Sequence, residues 1–172
     1  FHSASEHIET HVKLMTSDDQ RFIFSPSLVE LLYKDERDTR TPVSYGDWTD
    51  EEEGYRYTWV NKFAGKWADN KRYFISDLPL YRYAEALLFK AEIENERGNT
   101  PAALTYLNRV AKRAYGIDNY YASSDYHSFK ESLMTEYLKE FAGEGKSWWN
   151  YIRLGYAFTK IESLRGRQNE TN

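Results

Sequence analysis

Between Leu78 and Gly116 the chain reads LPLYRYAEALLFKAEIENERGNTPAALTYLNRVAKRAYG, a pattern that fits two helices joined by a tight turn. Apolar residues in the first half fall at Leu80, Tyr83, Ala84, Leu87, Leu88 and Ala91, the i, i+3, i+4 spacing that lines one face of a helix. Asp77 just upstream is a candidate cap, and Pro79 suits a first turn, where its missing N–H has no partner to lose. Gly98 ends the helix, because glycine enters the left-handed conformation without a Cβ clash. Thr100 and Pro101 supply the cap and first turn of the second helix, whose stripe is Ala103, Leu104, Leu107, Val110, Ala111 and Ala114. The facing stripes predict an antiparallel, tetratricopeptide-like helical hairpin.

Further helices are expected after it. Ser128 and Glu131 form an S-x-x-E capping box ahead of Phe129, Leu133, Tyr137 and Phe141, which share one helical face. Gly143 and Gly145 break that helix. Trp148, Trp149 and Ile152 begin a short one whose wide side chains are expected to seal a core. The tail from Leu164, LRGRQNETN, is polar and expected to fray. Ahead of the hairpin, residues 1–20 carry only a weak helical pattern at Ile8, Val12 and Met15. Arg21-Phe22-Ile23-Phe24 is a short strand candidate and Leu28 to Tyr33 a short helix. His7 and His11 are one turn apart, but with no third ligand nearby they predict no metal site. Within the helix pair Arg82 and Glu85 are three apart and able to meet, while Asn108 lies on the apolar side, where a polar group usually satisfies a neighbouring loop. The fold class expected is mainly α, with a small β-hairpin and loop region packed among the helices.

Composition narrows the partners. A formal charge of −4 without any Lys/Arg run gives no field for a phosphate backbone, so nucleic acid is excluded as a partner. With no cysteine, thiol catalysis and disulfides are excluded, and no apolar run is long enough to span a bilayer. Aromatic residues make up 17%, including 15 Tyr and 5 Trp. That exceeds what a core of this size needs, so many rings are expected at a surface.

The densest group lies in residues 43–68, VSYGDWTDEEEGYRYTWVNKFAGKWA. The DEEEG segment reads as a turn, making a β-hairpin. Tyr55, Tyr57 and Trp59 alternate, so a strand sends all three to one face. With Trp48 they are the candidate ligand-binding residues. A sugar ring offers a C–H face that stacks on an aromatic plane and hydroxyls that bond to carboxylates, and Tyr/Trp beside Asp47, Asp50, Glu51, Glu52 and Glu53 supplies both. The competing reading packs this row against the helices. The acidic run lacks the D-x-[DN]-x-[DN]-G spacing of a calcium loop, so no metal is assigned. Tyr120, Tyr121 and Tyr126 in the loop from Ile117 to His127 are a second possible stacking surface.

Arg82-Tyr83-Ala84-Glu85, then Ala91-Glu92, Gly98, Asn108 and Arg113-Ala114, closely resemble the RxAE helix and the N-x-R-x-R-A helix of the SusD/RagB family. The segment Glu140-Phe141-Ala142-Gly143-Glu144-Gly145-Lys146-Ser147-Trp148-Trp149-Asn150-Tyr151-Ile152-Arg153-Leu154-Gly155 is similar to that family's E-F-x-x-E-G-R-R-W-x-D-L-x-R-x-G. Upstream, Ser25 to Val29 followed by Asp38-x-Arg40 resembles the element that carries the family's D-x-R. Ser147 stands where the family has a second basic residue and Asn150 where it has Asp, so the charge pairing around Arg153 is expected to differ. The resemblance makes Asp38 and Arg40 a structural pair. On a solvated face such a pair stabilises by only about 0–1 kcal/mol.

The resemblance implies a nutrient-binding lipoprotein of the bacterial outer membrane. It implies that residues 1–172 are the C-terminal part of a longer SusD-like protein, with the helical repeats, export signal and lipidated cysteine upstream. By the same resemblance the expected partners are an oligosaccharide ligand and a TonB-dependent outer-membrane transporter of the SusC-like kind, with contact to the membrane only through that upstream lipid anchor. No cofactor is implied. The nucleophile elbow, P-loop, dinucleotide fingerprint and zincin patterns are all missing from the sequence, so no catalytic residue is assigned and non-catalytic glycan binding is expected. The alternatives are peptide uptake of the RagB type and a structural helical module that binds a protein partner.

Overall fold

The computed structural model describes residues 24–168, apart from Glu53, Ala64, Asn70, Phe74, Ser76 and Ser124; the side chains of Asp50, Tyr55, Arg56, Tyr57, Trp67, Lys71, Arg72 and residues 163–168 are also left undescribed. The weak helical pattern of residues 1–20, His7, His11 and most of the Arg21–Phe24 strand candidate lie outside the described residues. Two compact units are present, one up to Leu78 and one from Pro79 onward.

The first unit contains helix α1 (Pro26–Tyr33), a short helix α2 (Thr41–Ser44) and two antiparallel hairpins: β1 (Tyr45–Asp50) with β2 (Tyr55–Val60), then β3 (Lys66–Ala68) with β4 (Lys71–Tyr73). Ser25 caps α1 by accepting from the Leu28 N–H, with Pro26 in the first turn. Leu32 and Tyr45 are buried, and Tyr45 packs between Phe24 and the edge of Tyr33. Asp38 and Arg40 form the structural pair that the resemblance implies, and it is buried where a solvated face would make it weak. Both are buried, and the Asp38 carboxylate takes two guanidinium hydrogen bonds, at 2.8 and 2.9 Å, as well as the Arg40 backbone N–H at 3.0 Å. Thr41 then donates its hydroxyl to the Leu32 carbonyl at 2.6 Å. The loop leaving α1 is thereby held where β1 begins.

The second unit is helical: α3 (Tyr83–Glu96), α4 (Thr100–Tyr115), α5 (Tyr126–Glu140), α6 (Ser147–Arg153) and α7 (Ala157–Gln168). Its core is the expected one, with Ala84, Leu88 and Ala91 of α3 against Ala103, Leu107 and Val110 of α4 and Phe129, Leu133, Tyr137 and Phe141 of the α5 segment. Gly98, at φ 79°, makes the expected left-handed turn between α3 and α4. The end of α5 likewise runs into Gly143 and Gly145, both at positive φ.

Several helix starts differ from the sequence reading. Helix α3 begins at Tyr83, four residues after Pro79, so Leu80 precedes it and both Leu80 and Tyr83 are exposed. Asp77 caps nothing there. The N-cap is Arg82 in an extended conformation, its side chain committed elsewhere. Asn99, not Thr100, caps α4, because its side chain is the one that accepts from the Ala102 N–H. Asp125 rather than Ser128 caps α5. Its carboxylate accepts from the His127 and Ser128 N–H groups and from the Ser128 hydroxyl, bonds that hold it below the usual carboxylate range. The tail does not fray at Leu164 but continues as α7 to Gln168. Trp148, Trp149 and Ile152 seal no core either. They are exposed, Trp149 at 67%, because the helix that carries them is only seven residues long and buries Asn150 and the following Leu154 instead.

The elements are tied together by charges that the sequence motifs only hinted at. Arg82 does not pair with Glu85. Its guanidinium reaches Glu140 at 2.7 Å, Glu144 at 2.8 and 3.1 Å, and the Glu140 carbonyl at 3.0 Å. Arg113 of α4 bonds the same Glu140 oxygen. Glu85 is taken by Lys146, which also donates to the Leu80 carbonyl. With Asn at 150, Arg153 finds its negative charge on Glu92 at 2.9 Å and uses Asn150 as a neutral acceptor at 3.0 Å. Asn108 meets the sequence expectation, clasping the backbone of Tyr121 through both its amide atoms.

Burial pushes the Glu140 carboxyl up, but hydrogen bonds and charge from Arg113 and Arg82 outweigh it and leave the group below the usual 4.5. A depressed folded-state value stabilises above the unfolded value and is lost as pH falls through the folded one. Glu140→Gln is therefore expected to destabilise the fold at pH 7 by about 3 kcal/mol, the low end for a broken buried pair because Arg113 stays solvated. In urea unfolding at a series of pH values, the gap from wild type should narrow as pH falls below the usual 4.5 and through the depressed folded-state value. A constant gap would contradict this role.

Candidate functional site

The pairing register decides where the aromatic row stands. Across the β1–β2 hairpin, Gly46 faces Trp59, Trp48 faces Tyr57 and Asp50 faces Tyr55. Directly opposed residues of an antiparallel pair lie on the same side of the sheet. All four candidate residues, Trp48, Tyr55, Tyr57 and Trp59, therefore share one face, with Asp50 at its end. The other face carries Tyr45 and Val60, Asp47 and Thr58, Thr49 and Arg56. Tyr45 is the residue that enters the core of the first unit, so that buried ring and the four candidate residues belong to opposite sides of one hairpin. Trp48 and Trp59 are each partly exposed.

Gly46 explains how Trp59 is held. A Cβ built there would fall 2.4 Å from the indole ring, so the ring lies directly over the glycine backbone across the strand pair. The indole N–H donates to Asn61 at 3.4 Å. Asn61 in turn gives its side-chain amide to the Pro42 carbonyl at 2.9 Å and its backbone N–H to the Ser44 carbonyl at 2.9 Å. One side of the ring thus rests on the protein while its edge is fixed by a residue anchored in α2. The turn joining the strands exposes Glu51, Glu52 and Gly54, the last at φ 66°. Carboxylates consequently rim the end of the hairpin.

Sequence reasoning missed Gly46 and Asn61. A glycine inside a strand pattern marks a close approach to backbone, and that was the available signal for Gly46. Asn61 carried none, since its role depends on a carbonyl in another element. The β3–β4 hairpin was also missed; its turn places Asp69 at φ 51°.

The tyrosines of the second unit are tied by contacts within that unit. Tyr120 stacks on Tyr115 at 3.7 Å between ring centres and meets Tyr121 edge-on. The Tyr121 hydroxyl donates to Glu136 and the Tyr126 hydroxyl to Glu96. Tyr120 thus packs within the unit, while Tyr121 also borders the outer face of α4. Among the described residues no group of three or more His, Cys, Asp or Glu side chains is arranged to hold a metal, and no helix is long and apolar enough to cross a membrane.

The SusD family matches residues 21–172, nearly the whole chain and all three motifs. The chain belongs to the SusD family. Among curated relatives it is 30% identical over 90 residues to SusD-like protein P25 and 24% identical over 98 residues to SusD-like protein P38, both of Formosa agariphila. These matches cover 51% and 53% of this chain. A solved SusD superfamily protein from Bacteroides fragilis superposes on 70% of the chain with a TM-score of 0.58 at 31% identity. The chain spans 17% and 20% of the two curated relatives and 28% of the solved one. Within the SusD framework, the motif residues Arg82, Glu85, Glu92, Arg113, Glu140, Glu144, Lys146 and Arg153 form the charged ties of the second unit, and the Asp38–Arg40 pair and the aromatic row belong to the first.

Gly46→Ala is expected to drive the Trp59 indole off its seat, since the added methyl meets ring atoms on a fixed strand pair. Overpacking of this kind costs about 1–3 kcal/mol. The variant should show a lower thermal midpoint and altered tryptophan emission. Unchanged emission would mean that the ring does not rest on Gly46.

Proposed function

We propose that the chain is part of a non-catalytic cell-surface protein that captures a glycan on the aromatic face of the β1–β2 hairpin and passes it to a TonB-dependent outer-membrane transporter. The observation that carries this reading is the register that gathers Trp48, Tyr55, Tyr57 and Trp59 on the side of the hairpin opposite the buried Tyr45. Family membership supports the nutrient-binding role and its usual setting, a lipid-anchored protein of the bacterial outer membrane.

The mechanism needs no covalent step. Successive same-face residues on a strand lie about 7 Å apart, on the scale of one sugar residue. A row of aromatic planes thus receives the C–H faces of consecutive rings. Trp59 is pre-organised by Gly46 and Asn61, so less ordering entropy opposes binding. Asp50 on the same face and Glu51 and Glu52 at the turn accept hydrogen bonds from sugar hydroxyls and provide selectivity. Stacking without enclosure keeps affinity modest, which release to a transporter requires.

Peptide uptake is the second reading. A peptide would use the same aromatic face but would lean on the acidic rim through its basic side chains, making its binding fall with added salt. A structural module that binds a protein partner is the third.

Trp48→Ala and Trp59→Ala, singly and together, are expected to weaken binding of a matched oligosaccharide in calorimetric titration. The loss should be about twofold to tenfold per ring, as removal of one stacking partner implies. Helical circular dichroism should be unaffected, because both residues lie on the hairpin. Loss of the helical signal together with binding would make the rings core and would sink the proposed site. Retained affinity in the double variant would move the site elsewhere.

A further inference from the structure

A second ligand-sized space lies in the helical unit, and nothing in the roles assigned above uses it. Pro101, Leu104, Thr105, Arg109 and Lys112 recur at helical spacing along one outer face of α4. With the strap from Asp118 to Ala122 they line a cleft of about 500 Å³, within the size range of small-molecule sites. The cleft has a built frame. Asn108 clasps the Tyr121 backbone at 2.8 and 2.9 Å and fixes the strap against the helix. Lys112 and Asp118 close one end through an ion pair at 2.6 Å, and the strap makes its turn with Asn119 at φ 53°.

Its charge is unbalanced. Lys112 and Asp118 neutralise one another, whereas Arg109 has no carboxylate partner among the described residues. The Arg109 guanidinium instead lies 5.7 Å from the centre of the Tyr83 ring and gives one hydrogen bond, at 3.0 Å, to the Tyr83 hydroxyl. That contact orients the planar group while leaving most of its five donors unused. In a chain of net charge −4, a pocket of this size holding one oriented, unneutralised guanidinium selects for an anion. Leu104 and Pro101 beside it offer an apolar wall, and Thr105 and Asn119 offer hydroxyl and amide groups.

We propose that this cleft binds a carboxylate-bearing sugar residue, its carboxylate forked on Arg109, its ring against Leu104 and Pro101, and its hydroxyls on Thr105, Asn119 and Asp118. The assignment deepens the glycan-capture reading and rests on it, adding preference for an acidic glycan through a site separate from the hairpin. A carboxylate matches guanidinium geometry with two parallel hydrogen bonds, and a pyranose fills the rest of the cleft. An acidic peptide side chain shares the carboxylate but not the ring of hydroxyls.

The test titrates the full chain with digalacturonic acid, with its carboxyl-reduced neutral counterpart and with a short glutamate-rich peptide, followed by calorimetry and by chemical shifts of the α4 amides. Wild type should bind the diuronate with shifts along Pro101 to Lys112. Arg109→Gln should lose at least tenfold in affinity for it, Arg109→Lys should fall between, and Trp48→Ala with Trp59→Ala should leave those α4 shifts in place. Unchanged affinity in Arg109→Gln with intact circular dichroism would overturn the proposal, as would equal binding of the carboxyl-reduced sugar or no binding of the diuronate. Equal binding of the peptide would overturn the saccharide assignment. If the cleft fails by one of these outcomes, neutral oligosaccharides that still shift Trp48 and Trp59 would show that glycan capture on the hairpin stands. Silence of both sites to every sugar would remove the glycan reading itself.

Discussion

The helical unit depends on one buried carboxylate. Glu140 is only 2% exposed, and it sits where Arg82 at the start of α3 and Arg113 near the end of α4 both reach the end of α5. Each helix end is thereby referred to the same point. Taking such a charge from water is costly, and a buried pair stabilises little compared with well-packed apolar groups. Its consequence is discrimination, since any packing that separates α5 from either arginine leaves a buried charge unmatched. Glu144, and then the Lys146–Glu85 and Arg153–Glu92 pairs, extend the tie along α3 and into the turn before α6. Phe141 lies under this network with the Arg82 guanidinium 4.6 Å from its ring centre, joining the charged layer to the apolar core.

What the sequence reveals follows from how local each cause is. The stripe from Ala103 to Ala114 and the row from Phe129 to Phe141 are legible because helical periodicity is written within one segment, and the glycine at 98 ends its helix through its own backbone freedom. The partner of Arg82 lies 58 and 62 residues away, and no local pattern names it. The helix-pair motif and the Glu140–Gly155 motif were visible as resemblances, yet that each holds the partners of the other is a tertiary fact. The caps erred for a related reason. Asp125 and Ser128 are both good N-cap residues, and the choice between them was made by where the strap from α4 releases the chain. Trp148 and Trp149 show the limit of composition as an argument, because a seven-residue helix has room to bury only one side.

The candidate site is divided in the same way. Alternation alone places Tyr55, Tyr57 and Trp59 on one face. Adding Trp48 to that face required the register, and that Tyr45 on the opposite side is the buried ring is a tertiary fact. Gly46 completes the arrangement by letting the indole of Trp59 lie over bare backbone. Aromatic residues in this chain thus divide by role. Tyr137 and Phe141 fill the helical core, Tyr115 and Tyr120 stack to close the strap, and Tyr45 enters the core of the first unit.

The proposed capture of a glycan on the hairpin face has a direct readout. The measurement is the set of five indole N–H resonances in a ¹H–¹⁵N spectrum during titration with a panel of neutral oligosaccharides. Saturable shifts of the Trp48 and Trp59 resonances are expected while those of Trp148 and Trp149, exposed on α6, stay still. Shifts confined to Trp148 and Trp149 would contradict the assignment.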